Sequence, residues 1–463
     1  MVAAYRFHPT ILREYDIRGV IGKTLGEADA LAVGRAFGTV IREEAGAGAR
    51  CCVGYDGRRE SPVLEEALIA GLTETGIDVV RIGVGPTPML YFSVYHLSTA
   101  AGIMITGSHN PKEYNGFKLM LGRRSFFGAD IARLGEIAAA GEFARGKGRV
   151  QQNSVADAYA EVLANAWPGY SGNVRKVAWD PGNGAAGELT RALTRRLPAS
   201  HVLMNETIDG TFPNHHPDPA VEANLAQLRE AVAENGCDLG FALDGDGDRL
   251  GVVDGQGRIL WPDQILAVLA REVLETKSGR MVIGDVKCSQ ALFDEVARLG
   301  GVPLMWKTGH ALIKTKMAEE RAVLAGEMSG HIFFADRYFG YDDALYAAVR
   351  LLAYLDRKGE SLADIFDSLP QLVNTPEIRF ACAEERKFTV VDELRDRLKA
   401  EGADVNDIDG VRVTTPDGWW LVRASNTQAV LVARAEAVDD DALAALTAAM
   451  AAQLKKSGVA LPE

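Results

Sequence analysis

Short apolar runs alternate with amphipathic stretches along most of this chain. Three segments share one pattern: CCVGYDGRRESPVLEEALIAGLTETG from Cys51, KVAWDPGNGAAGELTRALTRRL from Lys176, and MVIGDVKCSQALFDEVARLGG from Met281. Each has an apolar run of strand length, a small or polar loop and a helical period, and each leads into another apolar run, DVVRIGV, HVLMNE and VPLMWK respectively. Strand, crossover helix, strand predicts α/β units with parallel pairing. Its recurrence at intervals of roughly a hundred residues predicts three related α/β domains, the logic of internal repeats applied at domain scale.

From Pro376 the pattern changes. It reads as strand (EIRFACA), helix (KFTVVDELRDRLKAEG), a hairpin across TTPDGWWLV, strand (AVLVARAEA) and a final helix from Asp439 to Lys456. That predicts a smaller α+β domain with a largely antiparallel sheet. Joints fall in the polar, glycine-bearing stretch Gly141 to Asn153, near the end of the hairpin LGVVDGQGRIL with its DGQG turn, and after SLPQL. Ser154, with Asp157 three residues on, is predicted to cap the helix VADAYAEVLANAW. The expected domains are 1–152, 153–260, 261–372 and 373–463.

Length and composition agree with several ordinary globular cores: 463 residues, 47% hydrophobic and 24% charged. The net charge of −13 argues against a general role on nucleic acid or anionic membranes, whose partners carry Lys and Arg patches. It leaves room for an anionic substrate in a locally basic pocket. No apolar run reaches membrane-spanning length and the start lacks the apolar core of a signal peptide, so a cytoplasmic protein is expected. The five cysteines, without CxxC spacing, suggest neither a disulfide framework nor a zinc site.

The clearest chemical signal is ALDGDGDRLGVVD, where Asp244, Asp246 and Asp248 alternate with glycines after the strand LGFAL. Three carboxylates this close repel unless a hard cation sits among them, and Mg²⁺ prefers such oxygens. A solvated turn is the plainer reading, since Asp and Gly favour turns. An EF-hand is excluded, because its sixth position would be Arg249 instead of Gly and its twelfth Gly255 instead of Glu.

Four further loops carry polar chemistry. In GIMITGSHNPKEYNGFK an apolar strand runs into a turn with Ser108 and His109, and Lys118 follows. Ser108 is a candidate nucleophile or phosphate carrier, although a turn serine is more often a cap. RASNTQ, from Arg423 to Gln428, gathers guanidinium, hydroxyl and amide donors that suit a phosphate. GEMSGHIFF holds Glu327, Ser329 and His331, able to bind sugar hydroxyls or move a proton; a buried structural histidine is the alternative. KTGH with His310 and DVKCS with Lys287 fit an anionic substrate better than a metal. Gly182, Gly184 and Gly187 form a GxGxxG with Glu206 at the end of the next strand, as in a dinucleotide fold, but Asp180 and Pro181 precede them and a tight turn is the preferred reading.

Taken together, TGSHNP, DGDGDR, GEMSGH and RASNT, in that order and one per domain, resemble the α-D-phosphohexomutase family, near its bacterial phosphomannomutase/phosphoglucomutase branch. The resemblance runs from REYDIRG at Arg13 to RASNT at Arg423. It implies four domains around a central cleft, each giving one loop, with the turn exposing Ser108 as a phosphoryl carrier. It implies that Asp244, Asp246 and Asp248 hold Mg²⁺ with a phosphoserine oxygen, that Glu327 and Ser329 meet sugar hydroxyls, and that Arg423, Ser425, Asn426 and Thr427 hold the non-reacting phosphate. Lys118, Lys287, His310 and His331, with Tyr15, Arg18 and Arg249, would line the cleft.

The implied reaction moves phosphate between the 1- and 6-positions of mannose or glucose through a hexose 1,6-bisphosphate, which also serves as activator. Hexose phosphates are then the partners of an expected monomer. A phosphoglucosamine mutase, a metal-dependent sugar phosphatase, a non-catalytic sugar-phosphate sensor and an NAD-binding oxidoreductase are the competing readings. RASNT argues against the phosphatase, which needs no second phosphate site.

Overall fold

In the computed structural model, which describes residues 3–462, the chain forms four sheets in sequence order. The first is mixed: Ile17–Val20, Tyr114–Leu121, Ala101–Ile105, Arg50–Tyr55, Asp78–Val84 and Val150–Gln152 lie side by side, with Arg124–Phe126 pairing on Tyr114–Leu121. The second orders Ile259–Leu260, Leu250–Asp254, Leu239–Leu243, Lys176–Asp180 and Ser200–Leu203. The third orders Val302–Trp306, Met281–Asp285, Leu324–Gly326 and Ile332–Phe334.

The three repeats pair as their pattern predicts. Arg50–Tyr55 with Asp78–Val84, Lys176–Asp180 with Ser200–Leu203, and Met281–Asp285 with Val302–Trp306 are parallel. The fourth sheet is antiparallel throughout its main path, Val373–Asn374, Val430–Ala437, Gly418–Ala424, Val411–Thr415 and Asp404–Asn406. Its last helix, Asp440–Lys456, starts where Asp439 accepts the Ala442 amide at 2.9 Å, an N-cap that satisfies a free helix-end donor.

One cap differs from expectation. The helix of the second unit spans Ala156–Ala164, begins after Val155, and carries no side-chain cap. Ser154 Oγ stands 3.5 Å from the Ala156 amide, and Asp157 turns outward to Arg196 instead of back to the chain. An ion pair across the surface takes the carboxylate that a capping box would need.

The cores explain how loops from separate sheets are held in register. The helix Thr87–His96 of the first unit is apolar on nearly all sides and buried from Thr87 to Val94. It joins Leu90 and Phe92 to a continuous core with Tyr159 and Phe241 of the second unit and Leu266 and Leu345 of the third. The fourth unit has its own core around Val390, Trp420 and Met450. Domain four meets the third through two buried arginines: Arg412 donates to the Val286 and Cys288 carbonyls at 2.7 and 2.8 Å, and Arg434 donates to that of Lys287. All five cysteines are buried and unpaired. Among the described residues no helix is long and apolar enough to cross a membrane.

Candidate active site

Five of the candidate loops sit where parallel strands end at their carboxyl side, the place where open α/β sheets present ligand-binding loops, while RASNT follows the antiparallel strand Gly418–Ala424. Ser108 follows Ala101–Ile105, the aspartates follow Leu239–Leu243, Lys287 follows Met281–Asp285, His310 follows Val302–Trp306, and Glu327 follows Leu324–Gly326.

The serine turn is buried, contrary to the expectation that it exposes Ser108, whose residue is only 3% exposed. The aspartate loop covers it: a Cβ on Gly245 would meet the Ser108 carbonyl oxygen at 2.4 Å, so only glycine permits the approach. Ser108 itself adopts φ +49, a left-handed conformation uncommon outside glycine, which the surroundings must enforce. Arg58 does so. Its side chain donates to the carbonyls of Ser108 (2.7 Å), Asn110 (2.6 Å), Pro111 (2.7 Å) and Tyr114 (2.9 Å) while its Nε holds Asp56 at 3.1 Å. Asp56 in turn accepts the Gly107 amide at 3.0 Å. Arg18 adds a bond to the Gly107 carbonyl at 2.7 Å and another to Asn110. Arg18 thus lies behind the turn.

Ser108 Oγ donates to Asp244 at 3.1 Å and stands 3.2 Å from His109 Nδ1. Asp244, Asp246 and Asp248 are wholly buried and offer oxygens within 4.8 Å of one another. Lys118 enters among them, 2.7 Å from Asp246 and also bound to Asp248, and Thr87 donates to Asp246. Burial alone would depress the Lys118 ammonium, but the Asp246 and Asp248 carboxylates hold it well above its ordinary range. Burial and its two carboxylate neighbours push Asp244 up, whereas Lys118 outweighs burial and holds Asp246 down. Burial, helped by Arg249 and Arg18, drives His109 well below the usual histidine value.

Two carboxylate oxygens in this group, Asp246 Oδ1 and Asp248 Oδ1, are buried with no hydrogen-bond partner. Buried carboxylate oxygens are rarely left so. An oxygen-only set of three carboxylates fits a hard divalent cation such as Mg²⁺.

From this group a string of contacts crosses to the fourth sheet. Asp248 lies 3.5 Å from His331 Nδ1, and Arg249 Nε donates to His331 Nε2 at 3.2 Å. The His331 ring stacks on His310, which stands edge-on to Tyr15. Glu327 accepts the Gly309 amide at 2.6 Å, and burial raises its carboxyl. Tyr15 accepts from Asn426 Nδ2 at 2.7 Å and donates to the Thr308 carbonyl at 3.0 Å. Thr308 donates through its amide to Asp409, which also receives Arg423 at 3.1 Å. Lys287 meets Glu377 at 2.8 Å, and that pair with Asp285 keeps the ammonium raised against burial.

Most of the candidate residues are linked by these contacts; Ser329 is half-buried between Glu327 and His331 in sequence, and Thr427 is exposed at the RASNT turn. Ser425 Oγ shapes that turn by accepting the amides of Thr427 (3.3 Å) and Gln428 (3.2 Å). In the glycine-rich turn Gly184 packs against the Gly245 and Asp244 carbonyls and Gly187 against that of Glu206, and the Asn183, Gly184 and Ala185 amides are bound by the Asn205, Pro181 and Gly245 carbonyls instead of pointing free at a pyrophosphate.

Sequence reasoning missed Arg58, Asp56, Thr87, Lys387 and Asp409, and also Asp342, which accepts Lys314 Nζ at 2.8 Å and lies beside His310 and His331. Lys387 is buried on the helix Glu384–Ala400 and donates to the Ser425 and Gln428 carbonyls at 2.6 and 3.0 Å, holding the RASNT turn from behind. A lysine on a charged helix gives no signal of this. DGRRES, by contrast, had one: Asp and Arg two apart in a loop between strand and helix.

Comparison with known proteins agrees with this arrangement. Residues 9–144, 157–257 and 261–373 match the phosphoglucomutase/phosphomannomutase alpha/beta/alpha domains I, II and III, and residues 377–453 match the family's C-terminal domain. The phosphomannomutase/phosphoglucomutase of Pseudomonas aeruginosa is 42% identical over 98% of this chain and 97% of its own length. A phosphoglucomutase of Neisseria gonorrhoeae is 41% identical over 92% of this chain and 93% of its own. The crystal structure of a phosphoglucomutase/phosphomannomutase family protein from Burkholderia thailandensis superposes with a TM-score of 0.90 at 41% identity, covering 98% and 99% of the two chains. With all four domains matched in order and a buried serine set against three aspartates, the chain belongs to the phosphoglucomutase/phosphomannomutase family of phosphohexomutases, enzymes that move a phosphoryl group within a sugar.

Proposed function

We propose that this protein interconverts hexose 1-phosphates and hexose 6-phosphates, with mannose and glucose as the sugars, through a phosphoserine at Ser108 and a hexose 1,6-bisphosphate that also activates the enzyme. The observation that carries the reading is Ser108 Oγ at 3.1 Å from Asp244, in a buried group that also holds Asp246, Asp248 and Lys118.

In the first half-reaction the bond between Ser108 Oγ and phosphorus breaks as the free sugar hydroxyl forms its own bond to phosphorus, and the proton that this hydroxyl loses ends on Ser108 Oγ, which is left as a free hydroxyl. The bisphosphate turns over, and its other phosphate returns to Ser108, regenerating the enzyme. Phosphoryl transfer depends on in-line positioning and charge neutralisation more than on a strong base. Lys118 supplies one positive charge beside the transferring group and Arg249 a second. Asp244, Asp246 and Asp248 would hold Mg²⁺, whose charge would stabilise the equatorial phosphoryl oxygens. Arg423, Ser425, Asn426 and Thr427, with Lys287, hold the phosphate that does not react, and Glu327 and Ser329 meet the sugar hydroxyls in both orientations. His109, next to Ser108 Oγ, and His310 and His331 line the same path. Burial of Ser108 limits loss of its phosphate to water.

The domain limits of this reading are 1–152, 153–260, 261–372 and 373–463, and the enzyme works as a cytoplasmic monomer. Conversion of glucose 1-phosphate assayed with and without glucose 1,6-bisphosphate tests it: a mutase responds to the bisphosphate, a phosphatase releases inorganic phosphate, and a sensor does neither. The relative kcat/KM for mannose, glucose and glucosamine phosphates decides the sugar.

A further inference from the structure

The second domain reaches back over the arginine that holds the serine turn. After the strand Ser200–Leu203 the chain runs as a loop to Pro217, and this loop lies against Gly57 and Arg58 of the first domain. A Cβ on Gly57 would stand 2.2 Å from Ile208 Cγ2, and one on Gly210 would stand 2.5 Å from both the Gly57 carbonyl oxygen and Arg58 Cα, so the loop is pressed onto the arginine's own backbone. Phe212 then sets its ring against the Arg58 guanidinium, with the centroid 5.2 Å from Cζ, within the range of a cation–π contact.

Arg58 is buried and its N–H donors are all taken, Nε by Asp56 and the two terminal nitrogens by the carbonyls of Ser108, Asn110, Pro111 and Tyr114. These bonds join the fork to the serine turn but leave fork and turn free to shift as one body, since Asp56 belongs to the same loop as Arg58. Phe212 belongs to another sheet and ties the fork to it. The ring is held there at a cost: Phe212 adopts φ +51, a conformation that a bulky residue keeps only where its surroundings over-determine it. Its amide donates to the Asp209 carbonyl at 2.9 Å, the Asp209 amide to the Asn183 carbonyl at 3.0 Å, and Asn183 Nδ2 to the Thr207 carbonyl at 2.9 Å. Asp180 binds the same loop twice, accepting Asn205 Nδ2 at 3.0 Å and standing 2.9 Å from His215 Nε2. The glycine-rich turn is thus the mooring of this loop. A glycine at 212 would meet the backbone demand with less strain; what only an aromatic residue adds is a π face for a buried cation.

We infer that Phe212 is a positioning residue for Ser108, acting through Arg58: its ring fixes the guanidinium against the second domain, and the guanidinium fixes the four carbonyls of the serine turn. The domain that supplies the three aspartates thereby also sets where the serine of the first domain points. The effect on the reaction rests on the mutase reading above; the effect on the order of the turn does not.

The test is amide hydrogen exchange of the full-length protein, read by mass spectrometry, for the wild type and for Phe212→Leu, Phe212→Tyr and Phe212→Gly. Phe212→Leu keeps apolar bulk and loses the π face. In it, peptides spanning 105–115 should exchange about tenfold faster, while those from the helix Glu27–Ala45 stay within about twofold of wild type. Its kcat should fall about fivefold with KM within about twofold, and Phe212→Tyr should restore both exchange and kcat. Phe212→Gly, which suits φ +51 and so keeps the fold, should loosen the turn at least as much as Phe212→Leu does. Exchange of 105–115 within about twofold of wild type in both Phe212→Leu and Phe212→Gly overturns the inference, as does a rise shared equally by Glu27–Ala45. A loosened turn with unchanged kcat overturns the positioning role. A wild type without mutase activity whose turn still loosens in Phe212→Leu would instead remove the mutase reading and leave the Phe212–Arg58 contact standing.

Discussion

The two ends of the site are built differently. Around Ser108 the serine, Arg58, Lys118 and the three aspartates are buried: Arg58 makes four bonds to loop carbonyls, and Lys118 sits among three aspartates with no exposed surface. Around RASNT, Thr427 and Gln428 face solvent, and the turn is held from behind by Lys387. The buried end fixes charges before any substrate arrives, which is what electrostatic stabilisation of a transferring phosphoryl group requires. At the RASNT end Arg423 and Ser425 are buried as well, with Arg423 bound to Asp409 and Asn426 to Tyr15, and it is the tip of the turn that opens to solvent. Substitutions should therefore cost chemistry and stability at the first end, and binding alone at the second.

The largest effect expected is that of Ser108→Ala, which removes the phosphoryl carrier and should lower kcat by about a thousandfold or more. Its left-handed backbone is strained with either side chain, so the melting temperature should change little. Mutase turnover within tenfold of wild type would refute the carrier role. Asp246→Asn removes one anionic ligand and should weaken Mg²⁺ dependence and turnover together, on the order of a hundredfold. Dialysis of the wild type against EDTA should reproduce the loss, and re-addition of Mg²⁺ should restore it. Full activity without added metal would reduce the aspartate loop to a turn.

How much of this could be read from the sequence differs between the same two ends. The aspartate loop and RASNT were legible because their chemistry is contiguous, with three carboxylates or four donors within a few residues of a strand end. The parallel pairing of the three repeats followed from period alone. Burial of Ser108 was not legible, because it depends on Gly245 of another sheet closing over the turn. Arg58 stood two residues from Asp56 in a loop whose signal was passed over, whereas Asp342 and Lys387 were missed for a reason similar to that of the buried serine. Each is a single charged residue whose partners are backbone carbonyls or side chains far away in the chain, and periodicity carries no record of such contacts.

At the open end, Arg423→Ala should reduce kcat/KM ten- to a hundredfold in both directions, since a hydrogen bond to a charged group contributes roughly 1.5 to 3 kcal/mol. Both the 1- and the 6-phosphate would dock at this residue, so the forward and reverse losses should match and more free bisphosphate should escape. Unequal losses under single-turnover conditions would mean separate phosphate sites. Arg58→Lys sharpens the contrast. It keeps the charge but loses the fork that spans four carbonyls, so the protein should lose about 3 kcal/mol in denaturant titration while kcat falls about tenfold and KM holds. The smallest effect belongs to Asn426→Ala, which gives up its bond to Tyr15. KM should rise less than about fivefold, with stability within about 0.5 kcal/mol of wild type. A larger stability loss there than in Arg58→Lys would erase the distinction between the two ends.

The central claim is that Ser108 carries the phosphoryl group between the two positions of the sugar. Incubation of the dephosphorylated enzyme with ³²P-labelled glucose 1,6-bisphosphate, followed by peptide mapping and a chase with unlabelled glucose 1-phosphate, tests it directly. The account predicts one label per chain on the peptide containing Ser108, chased quantitatively into glucose 6-phosphate or bisphosphate at a rate no slower than kcat. Turnover with the label on another residue, or with no labelled protein at all, would contradict it.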